Sequence, residues 1–362
     1  MLNPMAIQGR SFLSLWSVAL ASVPFALADE PVTLANVEAP PPIAADEPMA
    51  KEFSLARAAH YLDTAALSWQ KEKKCGTCHT NFVYLMSRPT LSGISPPSLE
   101  VRAFFEEMVE KRWEKEGPRW DAEVVCAATT LAWNDRATRS DLHPLTRKAF
   151  DRMLKLQRED GGWSWLKCGW PPMESDDHYG ATFAALGLGF APGEYAKTEA
   201  AQKCLEGIRR YLGANPPPSL HHQAMVLWAS LQVDGLMKKE ERERTLEELF
   251  SLQHEDGGWS IASLIQGWKD HHRQDDEAQD TKTSDGYATG FILYLARQAG
   301  ISASDPRIEK GIRWLKGNQR ESGRWFTRSP YRDNKHYITH VGTAFALMAL
   351  AECGEVKSGK KG

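Results

Sequence analysis

Two stretches of this 362-residue chain bring reactive side chains together at informative spacing. The first is Cys75-Gly-Thr-Cys78-His79, where two thiols lie three positions apart and an imidazole follows at once. The second is Glu174-Ser-Asp176-Asp177-His178, with three carboxylic acids and a histidine in five residues. Two thiols at that spacing can form thioethers to the two vinyl groups of one porphyrin while the adjacent histidine ligates the iron. The first stretch therefore reads as an attachment site for covalent haem c, held by Cys75 and Cys78 with His79 as metal ligand. A Cys75–Cys78 redox disulfide or half of a zinc site would use the same residues. A zinc site needs a second ligand pair at suitable spacing, which the sequence lacks, and a thioredoxin-like site needs a βαβ pattern where the flanks look helical. Met86, His60, His143 and Met153 are undistinguished candidates for the sixth iron ligand. An open sixth position would permit ligand or peroxide chemistry, and two protein ligands would favour electron transfer.

In the second stretch, clustered carboxylates raise one another's pKa, so Asp176 could be held protonated as a proton donor with Glu174, Asp177 and His178 around it. The simpler reading is a cap: Ser175, Asp176 or Asp177 would accept backbone N–H bonds at the start of a helix near His178.

The elements that must position these groups show in a repeat. Gln157-Arg-Glu-Asp-Gly-Gly-Trp163 and Gln253-His-Glu-Asp-Gly-Gly-Trp259 match at seven-residue length, and Gln319-Arg-Glu-Ser-Gly-Arg-Trp325 keeps the Gln, the first Gly and the Trp. Amphipathic helical patterns precede the turns, as in 149–157 and 308–316. Helices rich in Ala, Gly and Thr follow, beginning at Asp177, Asp285 and Thr339. Trp-to-helix spacing is 14 residues in the first and third copies and 26 in the second, which carries a 12-residue insertion. Small-residue helices suit a crowded inner ring and the amphipathic ones an outer ring. Less exact copies fill the gaps: residues 123–133 and 220–233 read as inner helices, and 99–113, 198–212 and 240–252 as outer ones. With 53–69 they make eleven or twelve helices. The expected fold is all-α, a single α/α toroid of about six helical hairpins over residues 51–355, with the C-x-x-C-H at 75–79 inserted between its first helices and a flexible tail at 356–362.

At these residues the chain resembles the squalene–hopene cyclase and prenyltransferase repeat family, whose α/α barrels carry the glutamine–tryptophan turn. The segment 339–350 looks very like the final inner helix of such cyclases. The resemblance covers most of the chain and implies the fold. Class II cyclases of that family have two barrels, and this chain has length for one. Their general acid is the central Asp of an Asp-x-Asp-Asp run, whose nearest match here, 174–177, has Glu in the first position. The family's protein prenyltransferases use an Asp, Cys and His zinc site that has no evident counterpart here.

Inner-helix N-termini converge on one mouth of a toroid, so Asp177, His178, Tyr179, His221, His222, Asp285, Tyr287, His336, Tyr337 and His340 could share a cavity, with fewer than half expected to face it. The charged insertion at 266–280 could act as a lid or be a solvated loop.

Composition narrows the remaining classes. With 42% hydrophobic and 25% charged residues the chain can build a core, and a formal charge of −3 with no basic field argues against nucleic acid as partner. Arg10, the apolar run 11–25 and Ala26-Leu27-Ala28 read as a cleaved signal peptide, residues 1–28. The run is shorter than the ~20 residues a spanning helix needs, so an exported, periplasmic or extracytoplasmic protein with no membrane span after cleavage is expected. Residues 29–50 are Pro- and acid-rich and read as an exposed flexible tether. Cys126, Cys168, Cys204 and Cys353 are small core residues or form one or two disulfides. The leading expectation is an exported haem-bearing toroid that binds an apolar, isoprenoid-like partner and serves as an oxidoreductase or exchanges electrons with an exported redox partner. The alternatives are a cyclase-like or isomerising enzyme using Asp176 and Asp177, and a non-catalytic scaffold.

Overall fold

The computed structural model describes residues 31–92, 95–166, 172–173, 176–269, 271–334 and 336–356. The chain divides into two units, Met1–Pro31 and Val32–Gly362, and the description concerns the second. The expected signal peptide, Glu174, Ser175, Cys168 and residues 357–362 lie outside the described residues.

Among the described residues there are twelve helices of seven residues or more. They are α1 (Leu55–Lys73), α2 (Asn81–Ser87), α3 (Pro96–Glu107), α4 (Asp121–Thr138), α5 (Pro144–Leu156), α6 (Asp177–Phe190), α7 (Glu199–Ala214), α8 (Leu220–Ser230), α9 (Lys239–Ser251), α10 (Gly286–Gln298), α11 (Pro306–Gly317) and α12 (Ile338–Glu352). Odd-numbered helices form the outer ring and even-numbered ones the inner ring of an α/α toroid. Each inner helix packs on the next, and α12 returns to pack on α2 and α1.

The two rings are written differently. Outer helices bury one stripe: Thr146, Ala149, Phe150 and Met153 in α5, and Ala201, Cys204, Leu205 and Ile208 in α7, both at spacing 0, 3, 4, 7. Inner helices are buried almost all round, as α6 is from His178 to Leu188. That crowding demands small residues: a Cβ on Gly290 of α10 would lie 2.5 Å from the Ala346 nitrogen of α12.

Each glutamine–tryptophan turn ties one hairpin to the next. The Trp163, Trp259 and Trp325 indole N–H groups donate to the carbonyls of Met153, Leu249 and Leu315, each ten residues earlier. The glutamine amides reach onward: Gln157 Nε2 donates to Cys204 O, Gln253 Nε2 to Arg307 O and Gln319 Nε2 to Ser54 O. The shared glycine is required twice over. Gly323 has φ +95°, and a Cβ there would stand 2.3 Å from Arg57 O on the neighbouring outer helix.

The segment expected as an exposed flexible tether is mostly exposed and is hydrogen-bonded to the toroid at several points. Arg324, which departs from the repeat's second glycine, is almost fully buried and donates to Pro41 O (2.8 Å), Pro42 O (2.7 Å) and the Glu47 carboxylate. Ala50 N donates to Gln319 O, and Leu34 N to Glu100 Oε2. The pattern lacks periodicity because the segment is irregular; Arg324 and scattered backbone hydrogen bonds hold it. No helix among the described residues is long and apolar enough to cross a membrane.

Candidate functional site

Residues Cys75–His79 lie in the connection between α1 and α2. The His79 ring is enclosed, stacked on Tyr337 (centroids 5.0 Å, 9°) and met by the edge of Trp69 (4.9 Å, 89°), with Nδ1 2.8 Å from Thr80 Oγ1. Burial, helped by the nearby His340, pushes its imidazole down to about 3. The Cys78 Sγ lies 3.6 Å from Cys126 Sγ on the wall of the central cavity, which has a volume of about 20 Å³. Iron would be met by the in-plane Nε2 of His79, which stacking on the ring face does not cover, and Cys75 and Cys78 would be the thioether positions of a haem c. None of the five described cysteines is in a disulfide. Met86 lines the central cavity, Met153 is in the core, His143 caps α5 and His60 is exposed on α1. Among the described residues no group of three or more His, Cys, Asp or Glu side chains could hold a metal ion.

Asp176 is the N-cap of α6, accepting Tyr179 N–H at 2.8 Å through Oδ1. Its second oxygen lies 2.8 Å from His222 Nε2, and His222 Nδ1 lies 2.8 Å from the Ser219 hydroxyl, the cap of α8. With Asp176 ionised, His222 donates to it through Nε2. Burial opposes charge on Asp176, but the hydrogen bond and charge of His222 outweigh it and hold the carboxyl below the usual carboxylate range. Asp176 is thus a capping residue, as in the simpler reading, with His222 rather than neighbouring acids setting its acidity.

Asp177 has a structural partner set. Its Oδ1 accepts Trp165 N–H at 3.0 Å and its Oδ2 pairs with Arg158 at 2.6 Å. Asp285 Oδ2 accepts Ile261 N–H, and Thr339 Oγ1 accepts Thr327 N–H. In every copy the first helix residue identified in the repeat holds the backbone two residues after the turn tryptophan. His178 is buried, with both ring nitrogens unpartnered, and faces a cavity of about 340 Å³ lined also by Arg209, Gln223 and Glu241. Burial and His222 push its imidazole down to about 4.

The ten mouth residues do not share one cavity. Tyr179 and Tyr287 line the central cavity, together with Phe183, Trp228, Phe345 and three methionines, Met86, Met173 and Met225. His221 Nε2 lies 2.7 Å from the Tyr287 hydroxyl, and His340 Nδ1 2.8 Å from the Tyr61 hydroxyl. Asp285 and His336 line a separate cavity of about 450 Å³ between the insertion and the third turn. There burial pushes the Asp285 carboxyl up to about 7, against the backbone donors of Ala288 and Ile261. The charged insertion is pinned: Arg273 bridges Asp275 and Asp333, Gln274 N donates to Tyr331 O, and Trp268 meets the His222 ring at 4.7 Å.

No protein-family model and no curated protein matches the chain. Solved structures do. An ent-copalyl diphosphate synthase from Streptomyces platensis superposes with TM-score 0.49 at 16% identity, covering 76% of this chain and 50% of that one, so this chain spans about half its length. A glycosidase gives TM-score 0.54 at 10% identity, covering 83% of this chain and 98% of that one. The type II terpene cyclase MstE from Scytonema gives 0.46 at 12%, covering 83% and 99%. The chain has the α/α-toroid fold.

Within that toroid, the residues that sequence reasoning missed are Arg320, Phe326, Arg328 and Asp333, all facing the larger cavity. Their signal was the third turn itself, where Arg320, Arg324 and Arg328 recur every four residues.

Proposed function

We propose that this toroid is a cyclase-like enzyme that moves a proton onto an apolar, isoprenoid-like substrate, with Asp176 as donor and His222 as the group that sets its acidity. The observation that carries this reading is the 2.8 Å contact between Asp176 Oδ2 and His222 Nε2 at the inner-helix mouth. An alkene is a poor base, so its protonation requires a strong acid. A carboxyl whose anion is stabilised is a stronger donor, though a sparsely populated one at neutral pH. The donated proton would add to one alkene carbon, the resulting cation would be closed by a second double bond, and a proton would leave at the end, an isomerisation that needs no oxidant. The aromatic faces of Tyr179, Phe183, Trp228 and Phe345 supply the negative potential such a cation requires. Neither Asp176 nor His222 lines this cavity, which is about 20 Å³ as packed, so the adaptable side chains of Met86, Met173 and Met225 would have to move aside to admit substrate and open it toward the mouth. The sequence resemblance to squalene–hopene cyclases supports the same chemistry. Export is part of the proposal and rests on residues 1–28.

The test is incubation of the protein with squalene and with geranylgeraniol between pH 5 and 7, with product analysis by mass spectrometry. Cyclised isomers that form faster at lower pH and vanish in Asp176→Asn are expected, with Asp177→Asn reducing stability more than turnover. Absence of any isomer, or turnover that survives Asp176→Asn, overturns the proposal.

A further inference from the structure

The cavity of about 450 Å³ between the insertion and the third turn is of ordinary ligand-site size and is built from groups that the Asp176–His222 reading does not use. One aromatic ring is shared by two of them. The Arg320 guanidinium lies 5.8 Å from the centre of Phe326, and the His336 ring centre lies 5.1 Å from it at 67°. Arg320 and His336 therefore both pack against one side chain.

Their hydrogen bonds show which are already committed. Arg273 and Arg328 are held by Asp333, and Arg273 also by Asp275. Arg320 differs. It donates through Nη1 to the Glu47 carbonyl, while its buried Nε has no partner. The Glu47 carboxylate is taken by Arg324 and by Ser322 N–H, so it is not shared with Arg320. His336 Nδ1 accepts Ser329 N–H at 3.0 Å, which places the proton of the neutral ring on Nε2 as a donor. Burial holds that ring below its ordinary value, consistent with neutrality. Asp280 lines the same cavity, its Oδ1 fixed by the N–H groups of Lys282 and Thr283.

We propose that this cavity binds a small hydroxylated carboxylate of one-sugar to two-sugar size, with its carboxylate on Arg320 and His336, its hydroxyls on Asp280 and its C–H face on Phe326. A guanidinium recognises a carboxylate by paired N–H donors, an ionised aspartate selects hydroxyl donors, and an aromatic ring accepts the apolar face of a polyol. A simple anion would leave Asp280 unmatched. A neutral sugar would leave the Arg320 guanidinium facing the cavity without an anion. The site is independent of Asp176, so either proposal can fail alone.

The experiment is titration calorimetry on the full chain with D-glucuronate, D-glucose and inorganic phosphate as probes. Glucuronate is expected to bind at least tenfold more tightly than either of the others. Arg320→Gln and His336→Gln should each weaken glucuronate about tenfold, with thermal unfolding reporting whether each variant is folded. Glucose binding as tightly as glucuronate overturns the carboxylate assignment, and phosphate binding as tightly overturns the hydroxyl assignment. No heat of binding from glucuronate at millimolar concentration overturns both. The comparison of three probes on the parent protein decides even if both variants fail to fold.

Discussion

Gln319 and Ser54 exchange two hydrogen bonds across 265 residues of chain: Gln319 Nε2 donates to Ser54 O at 2.9 Å, and Ser54 N donates to Gln319 Oε1 at 2.8 Å. The third turn thereby does to α1 what the first turn does to α7 and the second to α11, and the row of hairpins becomes a ring. Gln319→Ala leaves buried backbone groups at Ser54 and Gly323 unmatched, so a loss of about 1–3 kcal/mol is expected. Urea unfolding at neutral pH measures it, and an unchanged midpoint would show that the amide does not hold the closure.

Arg324 gives a second test. Restoring the repeat with Arg324→Gly removes the buried guanidinium and strands the Glu47 carboxylate, part-buried, beside Arg320. Breaking a buried pair from one side costs about 3–5 kcal/mol. The expected readout is faster proteolysis within residues 32–50 than in the parent. Equal cleavage rates would mean that the segment is held by something other than this side chain.

Buried histidines set the acid limit. His79 and His340 are pushed down to about 3 and His178 to about 4, each chiefly by burial. An unfolded histidine takes up its proton near 6.5, so between pH 6.5 and about 4 the unfolded chain binds protons that the fold excludes. Their contribution is present above the unfolded value and is lost as pH falls, at about 1.4 kcal/mol per pH unit per histidine. Urea midpoints from pH 7 to 5 should fall steeply, and His340→Gln should remove one proton's worth of that slope. A flat profile contradicts the burial of these rings.

A pyridine haemochrome spectrum of protein expressed with its N-terminal residues in a host that matures c-type cytochromes checks the motif: no signal is expected if Cys78 is only a packing residue beside Cys126. A covalent haem signal that disappears in Cys75→Ala/Cys78→Ala would require a different packing of the α1–α2 connection.

What could be read from the sequence is what is local. The Gln, Gly and Trp of each turn sit within seven residues, and their bonds reach only one hairpin onward, so the repeat alone yields ring, order and hairpin number. The cap at Asp176 was one of three open choices, because Ser175, Asp176 and Asp177 all have capping side chains and differ by a third of a helical turn. Which of them meets His222 is decided by the packing of α6 on α8, 46 residues apart. The larger cavity was out of reach for the same reason. Arg320, Phe326 and His336 converge only because the turn and the insertion fold against each other. The C-x-x-C-H spacing was legible as a motif, but spacing carries no information about whether a ring fills the space beside His79.

The closed ring bears on how the chain can be made. α1 and α2 emerge early, yet their neighbour on one side is α12, whose last residue is Glu352. Through most of synthesis the first hairpin exposes a flank with no partner, and loop-closure entropy must be met before that flank is covered. Assembly is therefore expected to be cooperative and late, with truncation of the final helix exposing the first one. An open solenoid tolerates loss of a terminal repeat by ending one unit sooner. A ring of six has no terminal unit to lose.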